Sequence, residues 1–440
     1  MFNADGNLHK AMLLASIIAA NSKWLSFPLL TVFAQGSPTL HLDFRVLEPR
    51  NETFSHVNEI TQLHKLRIAV VAESFLPQIN GVTNSVLRIL DFFKSNGHEA
   101  LIIAPDSAGG PSEYAGFEIM RVPALNVKGL IPLALPQQFA KARVLDFNPD
   151  VIHLASPALL GNYVARFARK NEIPTLSVYQ TDLAGFANHY GFQIANSTLN
   201  KFVGRVHSNS DRTLAPSTSA CNYLNDLGVP GVELWRRGVD AGRFRPENRD
   251  QELRNSLLGN RPDRTLIGYV GRLAHEKRLE DLISLDEQDD VQLVIVGDGP
   301  VRARLERKLP NAIFTGFKGG ADLARMYASL DIFIHTGQHE TFCQSIQEAL
   351  ASGVPVIAPN SGGPIDLVEN GKTGYLINTG NPKEIKRVVK LIQQSDTSEL
   401  RQVTRESVVN RTWQSINQEL ISHYLQLIAI KKSRRKELVA

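Results

Sequence analysis

Two glutamates, Glu340 and Glu348, lie in one short stretch of the sequence with seven residues between them. Apolar spacing predicts a helix that begins near Phe342, which places Glu348 about 12 Å beyond Glu340 along the axis. A retaining glycoside hydrolase holds its two carboxylates about 5 Å apart, so this pair favours two separate tasks, one at a sugar and one at ribose hydroxyls. Taken singly, each acid also suits a structural salt bridge. The free N–H groups at the start of this helix, which would face an anion, lie near Cys343, Gln344 and Ser345.

Two cations, Arg272 and Lys277, lie five positions apart in the loop after the apolar run 265–270. If the two side chains converge there, the Arg272 guanidinium could donate two parallel hydrogen bonds to a diphosphate, and the Lys277 ammonium would add a positive charge beside it. An isolated pair of this kind is more often two solvated surface cations. The acidic run 286–290 lies between a predicted helix and a predicted strand, and we interpret it as a solvated loop rather than a metal site.

Three glycine-containing loops follow predicted strands. Gly81, in the Asn-Gly-Val segment before a helix predicted from about Thr83, suits positive φ and an approach of backbone N–H groups to an anion. Gly316, in the segment 315–320, would present backbone groups to a nucleobase, and the glycines of 361–364 repeat the pattern. None of these segments is G-x-G-x-x-G followed by a ribose-binding acid, which counts against a dehydrogenase.

Alternation of short apolar runs with amphipathic stretches predicts how these loops are positioned. Continuous rather than alternating apolar runs are typical of parallel strands covered by helices on both faces, and two such series predict two doubly wound α/β domains. Ligands bind at the carboxyl ends of such strands. The predicted strands are 66–72, 99–104, 150–155, 174–179, 212–215, 265–270, 291–296, 311–314, 331–335 and 354–358. The predicted parts are an N-terminal extension over 1–65, domains over 66–240 and 241–412, and a C-terminal helix with a basic tail over 413–440 that packs back on the first domain.

The composition is that of a globular protein. The chain has 440 residues, 43% hydrophobic and 21% charged, which excludes disorder and a disulfide scaffold as the main architecture. Its two cysteines lack zinc-site spacing and suit a reducing compartment. The net charge of +4 arises within residues 421–440, so we expect no nucleic-acid partner. Each of the two apolar runs in residues 11–34 is too short to cross a bilayer.

Together these motifs resemble the retaining glycosyltransferases of family 4, which have the two-domain GT-B fold. The resemblance covers about residues 66–430. Long segments are most similar to the actinobacterial GDP-mannose-dependent α-mannosyltransferases. The segments that carry it include RIAVVAESFLPQINGVTNSVLR at 67–88, GVD-x-x-x-F at 238–244 and HETFCQSIQEALASGVPVIAP at 339–359.

The resemblance implies transfer of mannose from GDP-mannose without a metal or cofactor. Arg272 and Lys277 would bind the diphosphate and stabilise the leaving group, Glu340 would contact the donor sugar, and Glu348 would bind the ribose. The remaining implied donor contacts are Gly81, Asp182, Gly316, Phe342, Cys343, Gln344 and Ser345. Many relatives have glycine where this chain has Cys343, and relatives often carry a histidine near Asp182.

A lipid-linked acceptor in the first domain follows from the same resemblance, with the protein in the cytoplasm and attached peripherally to the inner face of the plasma membrane. The apolar segment 122–136 suits such docking, although burial against its own sheet is the simpler explanation. Two alternatives stay open: a UDP-sugar transferase to a diacylglycerol lipid, of the sulfolipid-synthase kind, and a non-catalytic nucleotide-sugar-binding protein. A binding protein has no need of a carboxylate at the reacting sugar, so Glu340 argues against the latter.

Overall fold

The computed structural model describes residues 65–125, 133–134, 138–180 and 196–439. The predicted extension over 1–65 therefore lies outside the described residues except for its last residue. Asp182 and most of the segment 126–136 lie outside them as well.

The first domain is built on a sheet whose central strands are almost completely buried, as strands covered on both faces must be. The described strands are β1 (Arg67–Ala72), β2 (Glu99–Pro105), β3 (Glu113–Tyr114), β4 (Phe117–Val122), β5 (Ala124–Leu125), β6 (Leu133–Ala134), β7 (Val151–Ala155), β8 (Thr175–Val178), β9 (Arg212–Ala215) and β10 (Val232–Leu234). Their order in the main sheet is β10-β9-β8-β7-β1-β2-β4-β3, and β5 pairs separately with β6. The described helices are α1 (Gly81–Ser95), α2 (Gln138–Phe147), α3 (Leu159–Lys170), α4 (Asn196–His207) and α5 (Thr218–Asp226).

The second domain has a parallel sheet of the same kind. Its described strands are β11 (Thr265–Val270), β12 (Val291–Val296), β13 (Ile313–Gly316), β14 (Ile332–Ile334), β15 (Val356–Pro359) and β16 (Gly374–Ile377). Their order is β13-β12-β11-β14-β15-β16, and every pair is parallel. The described helices are α6 (Gln251–Leu258), α7 (Ile283–Asp286), α8 (Arg302–Lys308), α9 (Gly320–Ser329), α10 (Gln344–Ala351), α11 (Pro382–Gln393) and α12 (Thr397–Glu406).

The predicted architecture of two doubly wound α/β domains is confirmed. Strand β13 lies two residues further along the chain than predicted, and six described strands were not predicted at all: β3, β4, β5, β6, β10 and β16. Strand β4 alternates buried and more exposed residues near the sheet edge, beside the antiparallel β3, so it lacks the continuous apolar run used as the criterion. The acidic run 286–290 is not wholly solvated, because Asp286 is buried and accepts a hydrogen bond from the Asn311 N–H at 3.1 Å.

The last helix, α13 (Trp413–Val439), returns to the first domain. Its residues Ile416, Leu420 and Tyr424 belong to the same buried cluster as β1 and α1. The Tyr424 hydroxyl is hydrogen-bonded to Nδ1 of the buried His153 on β7 at 2.7 Å. The chain thus crosses from the second domain back to the core of the first.

Candidate functional site

Three loops at the carboxyl ends of adjacent strands form the candidate site. Strand β14 lies between β11 and β15, so the loops that follow these strands are neighbours. The Gly363 N–H donates to the Glu340 carbonyl at 2.7 Å. A Cβ atom at Gly362 or Gly363 would lie 2.6 Å from the Glu340 carbonyl oxygen or 2.4 Å from the Phe342 Cα, so only glycine allows the loops to approach this closely.

The centre of the site is an ion pair between Glu340 and Lys277. The Lys277 ammonium donates to Glu340 Oε1, and His335 Nε2 lies 3.1 Å from the same oxygen. Burial raises the pKa of Glu340, but Lys277 and His335 outweigh it and hold this pKa at about 2. Burial lowers the pKa of Lys277, but the negative charge of Glu340 raises it by more, so the pKa of Lys277 lies above its ordinary value. The site therefore keeps an ionised carboxylate with a cation beside it.

His335 was missed in the sequence. It follows β14 directly, is 2% exposed, and stacks on Tyr269 with ring centroids 5.8 Å apart. Burial lowers its pKa, but Cys343 and Glu340 outweigh burial and raise the pKa to about 9. Its position as a polar residue at the carboxyl end of an apolar strand, five residues before Glu340, was the available signal.

Arg272 lies in the same loop as Lys277 but has a different partner. Its guanidinium donates to the Glu276 carboxylate, and its side chain is 55% exposed. The Glu276 carboxylate is only 8% exposed, so an Arg272 side chain that turned to another anion would leave a buried carboxylate without its cation. Arg272 and Lys277 pair with different glutamates here, and their convergence on a diphosphate stays a prediction.

The helix after Glu340 begins two residues later than predicted. Cys343 is its N-cap with φ 81°, a left-handed conformation that ends the preceding loop, and α10 starts at Gln344. Phe342 is buried in the core, so only its backbone faces the neighbouring loop. The Cys343 Sγ lies 3.4 Å from the Ser345 Oγ. The side-chain amide of Gln344 donates to the Gly238 carbonyl at 3.1 Å.

Glu348, on the second turn of α10, lies in different surroundings from Glu340. It is partly buried, beside the Tyr327 hydroxyl and near Arg243. Burial raises its pKa to about 7, and Tyr327 and Arg243 limit that rise. The pKa of Glu348 therefore lies well above that of Glu340, which reflects the different surroundings of the two carboxylates.

Arg237 brings Gly81 of the first domain next to this site, and it too was missed in the sequence. Its guanidinium donates to the Gly81 carbonyl at 3.2 Å and to Gln180 Oε1 at 2.6 Å. The Gln347 side chain donates to the Arg237 carbonyl at 2.9 Å, and the Thr341 hydroxyl donates to the Gln180 carbonyl at 3.1 Å. Burial lowers the pKa of Arg237 to about 10, partly offset by Glu340. Its place just before the Gly-Val-Asp motif was the available signal.

Gly316 lies further along the same sheet edge. It ends β13 with φ 73° and accepts a hydrogen bond from the Gly297 N–H at 2.9 Å. The next residue, Phe317, is 82% exposed. The predicted contact of this loop with a nucleobase stays a prediction.

One cluster in the site has the chemistry of metal ligands. Ligand atoms of His335, Glu340 and Cys343 all lie within 4.8 Å of one another. Among the described residues, Cys221 and Cys343 are both free thiols.

None of the helices in the described parts of the chain is both long and apolar enough to cross a membrane.

Two family models cover the two domains. Residues 79–243 match the model described as Glycosyltransferase Family 4, and residues 250–409 match the one described as Glycosyl transferases group 1. These matches include every site residue described above.

Relatives resemble the chain over most of its length. It is 44% identical over 377 residues to a GDP-mannose-dependent alpha-mannosyltransferase of Corynebacterium glutamicum, covering 84% of this chain and 91% of that protein. It is 45% identical over 381 residues to the protein of the same description from Mycolicibacterium smegmatis, covering 84% of this chain and 100% of that protein. A sulfoquinovosyl transferase of Arabidopsis thaliana is 28% identical over 365 residues, covering 79% of this chain and 71% of that protein.

A solved structure shows the same fold. Sucrose-phosphate synthase from Thermosynechococcus elongatus superimposes with a TM-score of 0.69 at 19% identity, covering 83% of this chain and 100% of that one. At that identity the likeness establishes the GT-B fold alone.

Proposed function

The chain belongs to glycosyltransferase family 4, and from that premise we propose that it transfers mannose from GDP-mannose to a glycolipid or lipid-anchored glycan, with retention of configuration and without a metal. The observation that carries the proposal is the ionised Glu340 held by Lys277 and His335 at the strand ends of the second domain. The choice of donor is supported by the 44–45% identity to GDP-mannose-dependent enzymes.

In the proposed reaction an acceptor hydroxyl attacks the anomeric carbon from the face on which GDP leaves. The new bond joins the acceptor oxygen to that carbon, the bond from the carbon to the phosphate oxygen breaks, and a donor phosphate oxygen takes the acceptor proton. Negative charge grows on the leaving diphosphate, where Arg272 and Lys277 stabilise it. In this proposal the half-exposed Arg272 side chain turns from Glu276 to this contact, and Lys277 lies between the diphosphate and Glu340.

The other donor contacts have separate places in the site. Glu340 orients the mannose hydroxyls, and Glu348 binds the ribose hydroxyls one helical turn into α10. The backbone over residues 342–345 faces sugar and phosphate, and Gly316 contacts the base. Gly81, held by Arg237, lies at the acceptor side of the reacting carbon, and Asp182 is proposed to contact the sugar or the acceptor.

The acceptor binds in the first domain in this proposal, and the protein acts in the cytoplasm at the inner face of the plasma membrane. Among the relatives, one from Mycobacterium tuberculosis is described as a phosphatidylinositol dimannoside mannosyltransferase and is 26% identical. That description supports a lipid-linked acceptor for this chain.

A second candidate is a UDP-sugar transferase to a diacylglycerol lipid. The 28% identity to a plant sulfoquinovosyl transferase favours it as the alternative. The two candidates share the fold and the glutamate pair and differ in the base that the site accepts.

Ligand-induced stabilisation separates the two candidates. We expect GDP to raise the unfolding temperature without added metal, and UDP and ADP at the same concentration to raise it much less. A nucleotide at 100 times its Kd adds about 2.7 kcal/mol to stability. Selective stabilisation by UDP would favour the second candidate over the mannosyl proposal. An unfolding temperature unchanged by all three nucleotides would contradict the presence of a nucleotide-sugar site.

A further inference from the structure

Three side chains of different chemistry converge within the donor site: the imidazole of His335, the carboxylate of Glu340 and the thiol of Cys343. One ligand atom from each lies within 4.8 Å of the others. We propose that these residues form a binding site for a soft divalent cation such as Zn²⁺, and that the bound ion inhibits the enzyme. Binding of the ion is independent of the proposed function, and only its inhibitory effect rests on that function.

The backbone of each ligand is already fixed. The His335 N–H donates to the Ile357 carbonyl on β15 at 2.9 Å, and the Glu340 carbonyl accepts from the Gly363 N–H at 2.7 Å. The Cys343 carbonyl accepts from the Ile346 N–H at 3.2 Å in the first turn of α10. A strand end, a loop and a helix start therefore hold the three residues before any ion binds, so binding requires only side-chain adjustment.

Two of the ligands carry features that a structural role leaves unexplained. His335 Nδ1 is buried and has no hydrogen-bond partner among the described residues, whereas buried polar atoms are normally paired. Cys343 adopts φ 81°, a left-handed conformation that favours glycine and strains a residue with a side chain. A strained residue that bears a thiol, next to an unpaired imidazole nitrogen, is the arrangement expected of a ligand site.

The donor set selects the kind of ion. Thiolate and imidazole ligands suit Zn²⁺ in a tetrahedral site with one open position, whereas Mg²⁺ requires an octahedron of oxygen ligands. On binding, the proton of the Cys343 thiol and any proton on the coordinating His335 nitrogen are released to solvent. One thiolate and one carboxylate then balance the charge of the ion. Because the two ring nitrogens of His335 point in different directions, an ion held by both His335 and Glu340 displaces the present contact between His335 Nε2 and the Glu340 carboxylate.

Inhibition follows from the use of Glu340. A carboxylate that coordinates the ion is no longer available to the donor sugar, and the ion adds positive charge beside Lys277. The donor and the cation therefore compete for the same carboxylate.

A cadmium titration of the full chain tests binding without using activity. The probe is Cd²⁺ alone, added to metal-stripped protein reduced with a phosphine, and the readout is the ultraviolet thiolate-to-cadmium charge-transfer band. We expect one ion per chain in the wild type and in Cys221→Ala, whose cysteine lies on α5 outside the cluster, and loss of the band in Cys343→Gly. A band that disappears in Cys221→Ala and persists in Cys343→Gly overturns the proposal, as does the absence of any band in the wild type.

Two further measurements complete the test. His335→Gln keeps a donor for Glu340 and should weaken Cd²⁺ binding about tenfold or more; unchanged affinity would contradict the assignment of His335 as a ligand. Zn²⁺ should inhibit the wild type at concentrations about tenfold lower than those needed for Cys343→Gly, each relative to its own metal-free rate. Equal inhibition of both overturns the inhibitory role. A chain that binds Cd²⁺ through Cys343 but transfers no sugar keeps the metal site and refutes the proposed function instead.

Discussion

At the scale of single residues, the Glu340 side chain is largely buried and yet carries a full negative charge. Its side chain is 17% exposed, a position where a lone carboxylate would take up a proton. Lys277 and His335 prevent this by holding its pKa at about 2. A carboxylate kept ionised in this way orients sugar hydroxyls as a hydrogen-bond acceptor throughout the physiological pH range.

Replacement of this carboxylate tests that role. Glu340→Gln keeps the size of the side chain but removes the charge, so donor binding should be weakened little while kcat falls about 100-fold or more. Steady-state kinetics with a nucleotide-binding measurement on the same preparation checks both. The matched control is Glu369→Gln, which breaks an exposed pair with Lys372 and should leave kcat unchanged. Wild-type turnover in Glu340→Gln would remove the assigned role.

The sequence identified part of this site and missed part of it. Lys277, Glu340 and Glu348 could be predicted because charged residues at fixed spacing after strand patterns point to the strand ends. His335 and Arg237 were missed because the sequence marks only their positions, at a strand end and before the Gly-Val-Asp motif. Their contacts come from other segments of the chain: Tyr269 stacks on His335, and the Gly81 carbonyl accepts from Arg237. Such contacts appear only once both sheets are assembled.

At the scale of elements, two helices of the first domain start where side chains satisfy their first N–H groups. The Asn80 side chain accepts from the N–H groups of Val82 and Thr83 at 3.0 and 2.9 Å, so α1 starts at Gly81, two residues before the predicted position. At α3 the same task falls to Glu73, which follows β1 and accepts from the N–H groups of Ala158 and Gly161 at 2.7 and 2.8 Å. A cap supplied by a distant residue leaves no mark in the local sequence, whereas the Asn-Gly pair does.

The Glu73 cap gives a pH-dependent contribution to stability. Burial raises its pKa from 4.5 to about 7 despite the hydrogen bonds from α3. Because the folded-state pKa lies above the unfolded one, the contribution is complete below about pH 4.5 and is lost as the pH rises through about 7. We expect the free energy of unfolding of the wild type to fall, relative to Glu73→Gln, by about 3 kcal/mol between pH 4.5 and 8.

Denaturant unfolding of both proteins across that pH range measures the difference. Glu99→Gln is the control, because Glu99 is exposed in its pair with Arg67 and should follow the wild-type profile. Parallel profiles for the wild type and Glu73→Gln would show that Glu73 titrates at its ordinary value.

At the scale of the whole molecule, α13 connects the second domain to the core of the first domain. It begins beside the second domain, where Val239 forms a bridge with Thr412, and its apolar residues complete the core of the first domain. The Trp235 indole donates to the Ile416 carbonyl at 3.0 Å, and Tyr424 bonds to His153. The stability of the first domain therefore depends on the last part of the chain.

Substitutions at Tyr424 measure that dependence. Tyr424→Ala removes a fully buried ring and should destabilise the first domain by about 3–5 kcal/mol. Tyr424→Phe keeps the ring and loses only the hydrogen bond to His153, at a cost of about 1 kcal/mol. Thermal unfolding of both variants, with nucleotide added to mark the second domain, separates the two effects. An equal loss in the two variants would mean that packing of α13 contributes little.

Mannosyl transfer is the central claim, and product formation tests it most directly. Purified protein is incubated with GDP-mannose and anionic glycolipids, or with UDP-sugars and the same lipids, and the products are analysed by mass spectrometry and by nuclear magnetic resonance of the anomeric proton. We predict a lipid that gains one hexose in α-linkage, formed from GDP-mannose without added metal and formed about 100-fold more slowly or not at all by Glu340→Gln. Transfer from a UDP-sugar but not from GDP-mannose, or a β-linked product, would contradict the proposed reaction.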